Sequence, residues 1–287
     1  MKDQARFDAE LKTLTEKKDA AAKKNDPAAA GIALQQIGGL YLEFGQVDEA
    51  IRSLEESERI ASGLEDQLVG ARTKLLLAQG KVQKGDYEGA EDLLARACEI
   101  FQMLDKPKEL FDGARRLALL CLRREEREKA QEYAQEAFAS VVASGDLALQ
   151  AEGLDLLEQV SLPVRHYAAF FAVFLSRSFG KDEALFKRYF SKLLDTLKTY
   201  FADFRFTEII DFADVVLANF HKAKVLRSYP DSFNVLERAM VVAAYIGKSR
   251  GDRSSGNWRS AERLSEELGT QELLGLDMKK CLEGFVL

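Results

Sequence analysis

A self-similar pattern recurs three times in the first half of the sequence, at steps of 40 residues. The segments FGQVDEAIRSLEES, KGDYEGAEDLLARA and REEREKAQEYAQEA align so that Ala50, Ala90 and Ala130 are equivalent. A unit of this length forms one supersecondary element that cannot bury its apolar face alone, so such units stack on their neighbours. The repeat therefore predicts a stack of similar units.

Each unit has the pattern of a helix, a turn that contains glycine in the first two units, and a second helix. The first helix carries a bulky residue followed by a small one, and the second helix carries the shared alanine. Small residues at these positions allow two helices to approach closely. The bulky and small pairs are Ile37-Gly38, Leu77-Ala78 and Leu117-Ala118.

These residues resemble the tetratricopeptide repeat family, through Leu34-x-x-Ile37-Gly38-x-x-Tyr41 and the turn Gly45-x-Val47-x-x-Ala50. The pattern is repeated 40 residues later as Leu77-Ala78 and Gly85-Asp86-Tyr87-x-x-Ala90, with Lys81 in the place of the usual aromatic residue. The match covers about residues 31–140, although Glu125 stands where the third turn should have glycine. Kinesin light chains and Rap-type bacterial regulators use such long repeats. The resemblance implies an all-α fold, a right-handed superhelical α-solenoid of helical hairpins with a divergent helical C-terminal part.

Three regions are predicted along the chain. Residues 1–30 form a capping helix and a linker, because Phe7 lies 40 residues before Val47. Residues 31–162 hold the repeats 31–70, 71–110 and 111–150 and the start of a fourth. Residues 163–287 form divergent helical hairpins, beginning after a helix break at Pro163.

Charge and aromatic content also change near Pro163. Residues 1–164 have a net charge of −9 and eight aromatic residues, whereas residues 165–250 have a net charge of +5 and 17 of the 27 aromatic residues. The basic, aromatic segment has two interpretations, a hydrophobic core or a second binding surface. The aromatic residues recur at helical spacing, which favours a core.

In the family, the first helix of each repeat lines a concave groove. By alignment, the groove residues would be Gln35, Leu42, Arg72, Leu75, Gln79, Arg115, Leu119 and Arg123. Arginine side chains pair with carboxylates through two parallel hydrogen bonds, so the three arginines favour an acidic peptide. The alternative is that these arginines pair within the repeats with Asp112, Glu109 or Glu43.

The sequence offers little that is typical of catalysis. His166 and His221 lie far apart without metal-ligand spacing, and Cys98, Cys121 and Cys281 form no CxxC motif. The string Ile246-Gly247-Lys248-Ser249 resembles the end of a phosphate-binding loop, but Val242 occupies the place of its first glycine. We therefore expect no enzyme activity, no metal and no cofactor.

The expected function is that of a protein–protein interaction module, an adaptor or scaffold that binds a peptide or helix of another protein in the groove. The alternative is a regulatory protein that senses a ligand or peptide and whose repeat curvature controls the C-terminal part. Nucleic acid is not an expected partner, because basic residues form no run. The apolar stretches are shorter than a membrane span, and we expect a cytoplasmic protein.

Overall fold

The computed structural model describes residues 4–203, 205, 207–212, 215–216, 256, 259, 272–273 and 276–277. Almost all of these residues are helical. The described residues also include two antiparallel strands of two residues each, in which Leu273 pairs with Leu276. The predicted fold class, an all-α stack of helical hairpins, is confirmed. The elements are α1 Gln4–Lys23, α2 Pro27–Glu43, α3 Val47–Gly63, α4 Gln67–Lys84, α5 Tyr87–Met103, α6 Pro107–Arg123, α7 Arg127–Val142, α8 Leu147–Gln159, α9 Val164–Ser178, α10 Glu183–Ala202, β1 Glu272–Leu273 and β2 Leu276–Asp277.

The 40-residue period sets where the helices begin. The helices α2, α4, α6 and α8 begin at Pro27, Gln67, Pro107 and Leu147. Proline suits the first turn of a helix, where its missing N–H would have no partner in any case. Aspartates cap several of these helices, and the carboxylate of Asp66 accepts the backbone N–H of Val69 at 3.0 Å.

The turns repeat with the same period and require left-handed backbone. Within the three hairpins, φ is 78° at Gly45, 82° at Gly85 and 64° at Glu125. Glycine adopts this conformation at no steric cost, whereas other L-residues pay for it. Glu125 therefore keeps the turn of its repeat without the residue that suits it best.

The two helices of a hairpin approach closely where the sequence places small residues. A Cβ added at Gly38 of α2 would lie 2.4 Å from Cγ of Leu54 on α3. Leu54 has no exposed surface, and neither do the repeated alanines Ala50, Ala90 and Ala130. The small residues therefore set the spacing of the hairpins, as the repeat pattern predicts.

The chain divides into two compact units, Met1–Leu149 and Gln150–Leu287. The predicted division after residue 162 lies further along the chain, and the predicted domain limits stay predictions. In residues 1–30, most of the expected linker is helical, because α1 extends to Lys23 and α2 begins at Pro27.

An aromatic core holds the described part of the second unit together. Tyr167, Phe171 and Phe174 on α9 are buried, as is Tyr189 on α10. The ring centroids of Phe174 and Tyr189 lie 4.8 Å apart with their edges and faces in contact. The hydroxyl of Tyr189 donates to the backbone oxygen of Ala151 at 3.1 Å. These aromatic residues are core, as their spacing favours.

Other predictions for the C-terminal part lie outside the described residues. They concern the phosphate-loop-like string at 246–249, most of the loop at 251–256, His221, Cys281 and the repeat-like turn near Trp258. His166 is described, and it is exposed on α9.

Candidate functional site

The predicted groove residues lie on α2, α4 and α6, the first helices of the three hairpins. Two of them are not available to a partner. Leu42 is 3% exposed and Leu75 is 6% exposed, and both belong to apolar clusters between helices. Their assignment to the groove surface was wrong, because each packs against an adjoining helix of the stack.

Gln35 has a second role that the alignment did not reveal. Its Nε2 donates to the backbone oxygen of Val69 at 3.2 Å and to the hydroxyl of Thr73 at 2.9 Å, so it joins α2 to α4. The hydroxyl of Ser57 on α3 lies 3.3 Å from that of Thr73 and donates to the backbone oxygen of Gly31 at 2.9 Å. Buried polar groups need such partners, so this network fixes the packing of three helices.

Two of the three predicted arginines pair inside the protein. Arg72 on α4 pairs with Glu109 on α6 at 2.5 Å, and Arg115 pairs with Asp112 on the same helix at 3.2 Å. Burial is the largest single influence on Glu109 and works against its ionisation, but the hydrogen bond from Arg72, a backbone hydrogen bond and the charges of Arg72 and Lys106 together outweigh it. The pKa of Glu109 therefore lies below its ordinary value. For these two arginines, pairing within the repeats is what the structure shows.

The other predicted residues meet at a small cavity of about 150 Å³ between α4, α5 and α6. Gln79, Leu119 and Arg123 line it, together with Val82 and Leu120. Arg123 is exposed, and no described residue forms an ion pair with it. The cavity thus combines an apolar floor with a cationic side chain at its edge.

Arg116 also lines this cavity, and the alignment did not select it. Its guanidinium donates to Asp112 at 3.0 Å and to Oε1 of Gln79 at 3.1 Å. Arg116 therefore orients the Gln79 side chain across the boundary between two repeats. The spacing of Asp112 and Arg116, four residues apart on one helix, is the signal that predicts the first of these contacts.

A cluster of potential metal ligands lies elsewhere in the first unit. Ligand atoms of Glu91, Cys121 and Glu126 lie within 4.8 Å of one another. Arg124 pairs with both carboxylates, and Lys129 lies 3.3 Å from Glu91 and 3.0 Å from Glu126. Burial raises the pKa of the Cys121 thiol to about 11. A metal requires the thiolate and free carboxylates, so this cluster has the chemistry of an ion-pair network.

The repeat family matches this part of the chain. The tetratricopeptide repeat profile matches residues 29–103, which span the first two hairpins. The predicted resemblance is therefore confirmed over that stretch. No curated protein sequence matches the chain.

Two solved structures are similar to the chain. BtubC (BKLC) from P. vanneervenii has a TM-score of 0.53 and 16% sequence identity, over 78% of this chain and 92% of that protein. Aspartyl phosphate phosphatase F from Bacillus subtilis has a TM-score of 0.50 and 15% identity, over 82% of this chain and 68% of that protein. At these identities, the likeness shows a shared fold of tetratricopeptide-like repeats.

No described helix combines the length and the apolar character that crossing a bilayer needs.

Proposed function

We propose that the chain is a non-catalytic adaptor, and that the face formed by α4 and α6 binds a peptide or helix of a partner protein. The observation that carries this proposal is Arg123, an exposed guanidinium with no ion-pair partner in the described chain, at the edge of an apolar cavity. Tetratricopeptide repeats support the broader statement that the chain acts in protein–protein interaction.

The cavity defines the chemistry of the bound segment. Its volume of about 150 Å³ admits one aliphatic side chain against Val82, Leu119 and Leu120. A carboxylate nearby on the same segment would pair with Arg123 through two hydrogen bonds. Arg72 and Arg115 already have carboxylate partners, so a ligand gains less from them than from Arg123. The favoured ligand is an acidic segment with one leucine-sized anchor.

The test is quantitative capture of partners from a native lysate with wild-type protein and two variants. Arg123→Glu removes the cation, and Leu119→Arg fills the cavity with charge. Both should abolish capture of the same partner proteins. Arg127→Glu is the matched control, because Arg127 is exposed on α7 and does not line the cavity. If every partner is retained by the Arg123→Glu and Leu119→Arg variants, this face is not the binding site.

The regulatory alternative remains a hypothesis, in which ligand binding changes the curvature of the repeats. The likeness to phosphatase F shows the fold alone and does not favour this function over the adaptor. Small-angle scattering distinguishes the two functions once a captured partner segment has been identified. Identical profiles with and without that segment would contradict a switch.

A further inference from the structure

A second cleft lies between α1 and α2, away from the cavity of the proposed adaptor site. It has a volume of about 430 Å³, within the range of about 300–1,000 Å³ that ligand sites occupy. The floor is built from alanines of both helices, and charged or polar side chains surround it. The lining residues are Lys17, Ala20, Ala21, Lys24, Asp26, Ala29, Ile32, Ala33 and Gln36.

The next junction along the stack shows what normally fills such a cleft. There, α3 and α4 enclose the preceding first helix, α2. Gln35 of α2 donates to the backbone oxygen of Val69 and to Thr73 on α4, and Gly31 of α2 accepts a hydrogen bond from Ser57 on α3. A first helix thus lies against both members of the following pair.

The junction after that follows the same rule. A Cβ added at Gly113 of α6 would lie 3.5 Å from Leu75 of α4. Leu75 lies 40 residues after Gln35, and Gly113 lies 40 residues after Thr73. The first helix of one hairpin therefore contacts the same position of the next hairpin in both cases.

The residues 40 positions before those that hold α2 line the cleft. Ser57, Val69 and Thr73, which hold α2, correspond to Lys17, Ala29 and Ala33, which line the cleft. The cleft is therefore the place that a first helix would occupy ahead of α1, and no described residue fills it. Ala29 and Ala33 face this place from α2, and Lys17 and Ala20 face it from α1.

Side-chain size leaves room for large residues on an incoming helix. In the inner junction, Ile60 of α3 lies against Gly31, with 3.1 Å between its Cγ2 and a Cβ built there. Ala20 is the equivalent of Ile60, and Ala29 is the equivalent of Val69. Because the walls of the cleft are smaller, the helix that fills it needs aliphatic side chains where α2 has glycine.

The charged side chains at the edge of the cleft determine which charge the incoming helix should carry beside its apolar face. Lys17 on α1 and Lys24, which directly follows α1, are exposed about two helical turns apart, on either side of the alanines. The carboxylate in the lining, Asp26, is engaged as the cap of α2, where it accepts the N–H of Ala29 at 3.0 Å. Ile32 is 41% exposed and adds apolar surface to the lining of the cleft.

We propose that this cleft binds an amphipathic helix of a partner protein, with aliphatic side chains facing the alanines and acidic side chains facing Lys17 and Lys24. The helix continues the stack by one position, in the place of a first helix. This interaction surface is independent of the Arg123 cavity. Either site can be lost by mutation without the other.

The probe is a stapled amphipathic helix of about 18 residues, or five turns, labelled with fluorescein. One version has leucine on the apolar face and glutamate on its flanks, and the other has lysine in place of glutamate. Fluorescence anisotropy with the full chain measures both dissociation constants. The acidic probe should bind the wild-type chain at least about tenfold more tightly than the basic probe.

Three double variants test whether the cleft residues are responsible for the binding of the probe. Lys17→Glu with Lys24→Glu should reverse the preference, so that the basic probe binds more tightly. Ala20→Ile with Ala29→Val restores the bulk of the inner junction and should weaken the acidic probe about tenfold. Lys12→Glu with Lys23→Glu is the control, because it makes the same change in charge at exposed positions of α1 outside the cleft. The control should keep the preference for the acidic probe.

Several outcomes would overturn the proposal. They are binding of neither probe, equal binding of both, or an equal loss in the Lys12 and Lys23 control. Concentration-dependent self-association of the wild type that Ala20→Ile with Ala29→Val abolishes would assign the cleft to a second copy instead. If the filled variant fails to fold by circular dichroism, the charge-reversal variant decides alone.

Discussion

The close approach of α2 and α3 makes a strong prediction for Gly38→Ala. The new Cβ would lie 2.4 Å from Cγ and 2.6 Å from Cδ2 of Leu54, so the leucine must move by about 1 Å to reach ordinary contact of about 3.5–4.0 Å. Because Leu54 is fully buried, the overpacking should cost about 2–3 kcal/mol. Alanine returns about 1 kcal/mol through its helix propensity. The net loss in the free energy of unfolding should be about 1–2 kcal/mol.

The neighbouring glycine is the control for this prediction. A Cβ at Gly39 would meet only Cδ1 of Leu76, at 3.9 Å, which is ordinary contact. Gly39→Ala should therefore stabilise the protein by up to about 1 kcal/mol, because alanine favours helix. Guanidinium chloride unfolding, followed by circular dichroism, compares the two variants. Equal effects of Gly38→Ala and Gly39→Ala would refute the packing argument.

A double-mutant cycle isolates the contact. Leu54→Ala should cost about 2–5 kcal/mol by itself, since it leaves a cavity in the core. In that background the leucine side chain that obstructs the new methyl group is gone, so Gly38→Ala should stabilise by about 1 kcal/mol. The effect of Gly38→Ala thus changes sign, and the coupling energy is about 2–3 kcal/mol. Additive effects would show that the two residues do not share this space.

Three further predictions follow from the turns, the acidic caps and the buried thiols. Glu125→Gly should raise the free energy of unfolding by about 0.5–1 kcal/mol, since φ is 64° there; loss of stability in denaturant unfolding would contradict it. The hydrogen bond from Lys108 lowers the pKa of Asp146 in the folded protein. The Asp146 carboxylate therefore contributes stability above its unfolded pKa, and this contribution is lost as the pH falls through the lower folded pKa. In the Asp146→Asn variant, Tm should fall less steeply with pH in acid than it does in the wild type. Burial raises the pKa of Cys98 to about 12 and of Cys121 to about 11, so both should label with Ellman's reagent far more slowly in native than in unfolded protein; equal rates would refute this.

Much of the fold could be predicted from the sequence because each repeat is specified by residues that lie close together in the chain. The spacing of Ala50, Ala90 and Ala130 predicts the hairpins, and all three alanines are fully buried. The turn glycines Gly45 and Gly85 have the left-handed backbone that their residue type favours. Helix starts and turns depend on residues within a few positions, and the close approach of Gly38 to Leu54 lies within one hairpin, so a single sequence carries them.

The candidate site depended on the tertiary structure, because the contacts that join its helices link residues 34 to 38 positions apart. Arg72 meets Glu109 and Arg116 meets Gln79, each across 37 residues, and neither of these two contacts follows from residues close by in the sequence. Leu42 is apolar and therefore looks suitable for a groove surface in the sequence, but an adjoining helix covers it. Sequence by itself determined which helices form and how they pair. Only the stacking of one hairpin on the next decided which side chains remain available to a partner, because the ion pair of Arg72, the hydrogen bond of Gln79 and the contact between Leu42 and α4 all come from a neighbouring hairpin.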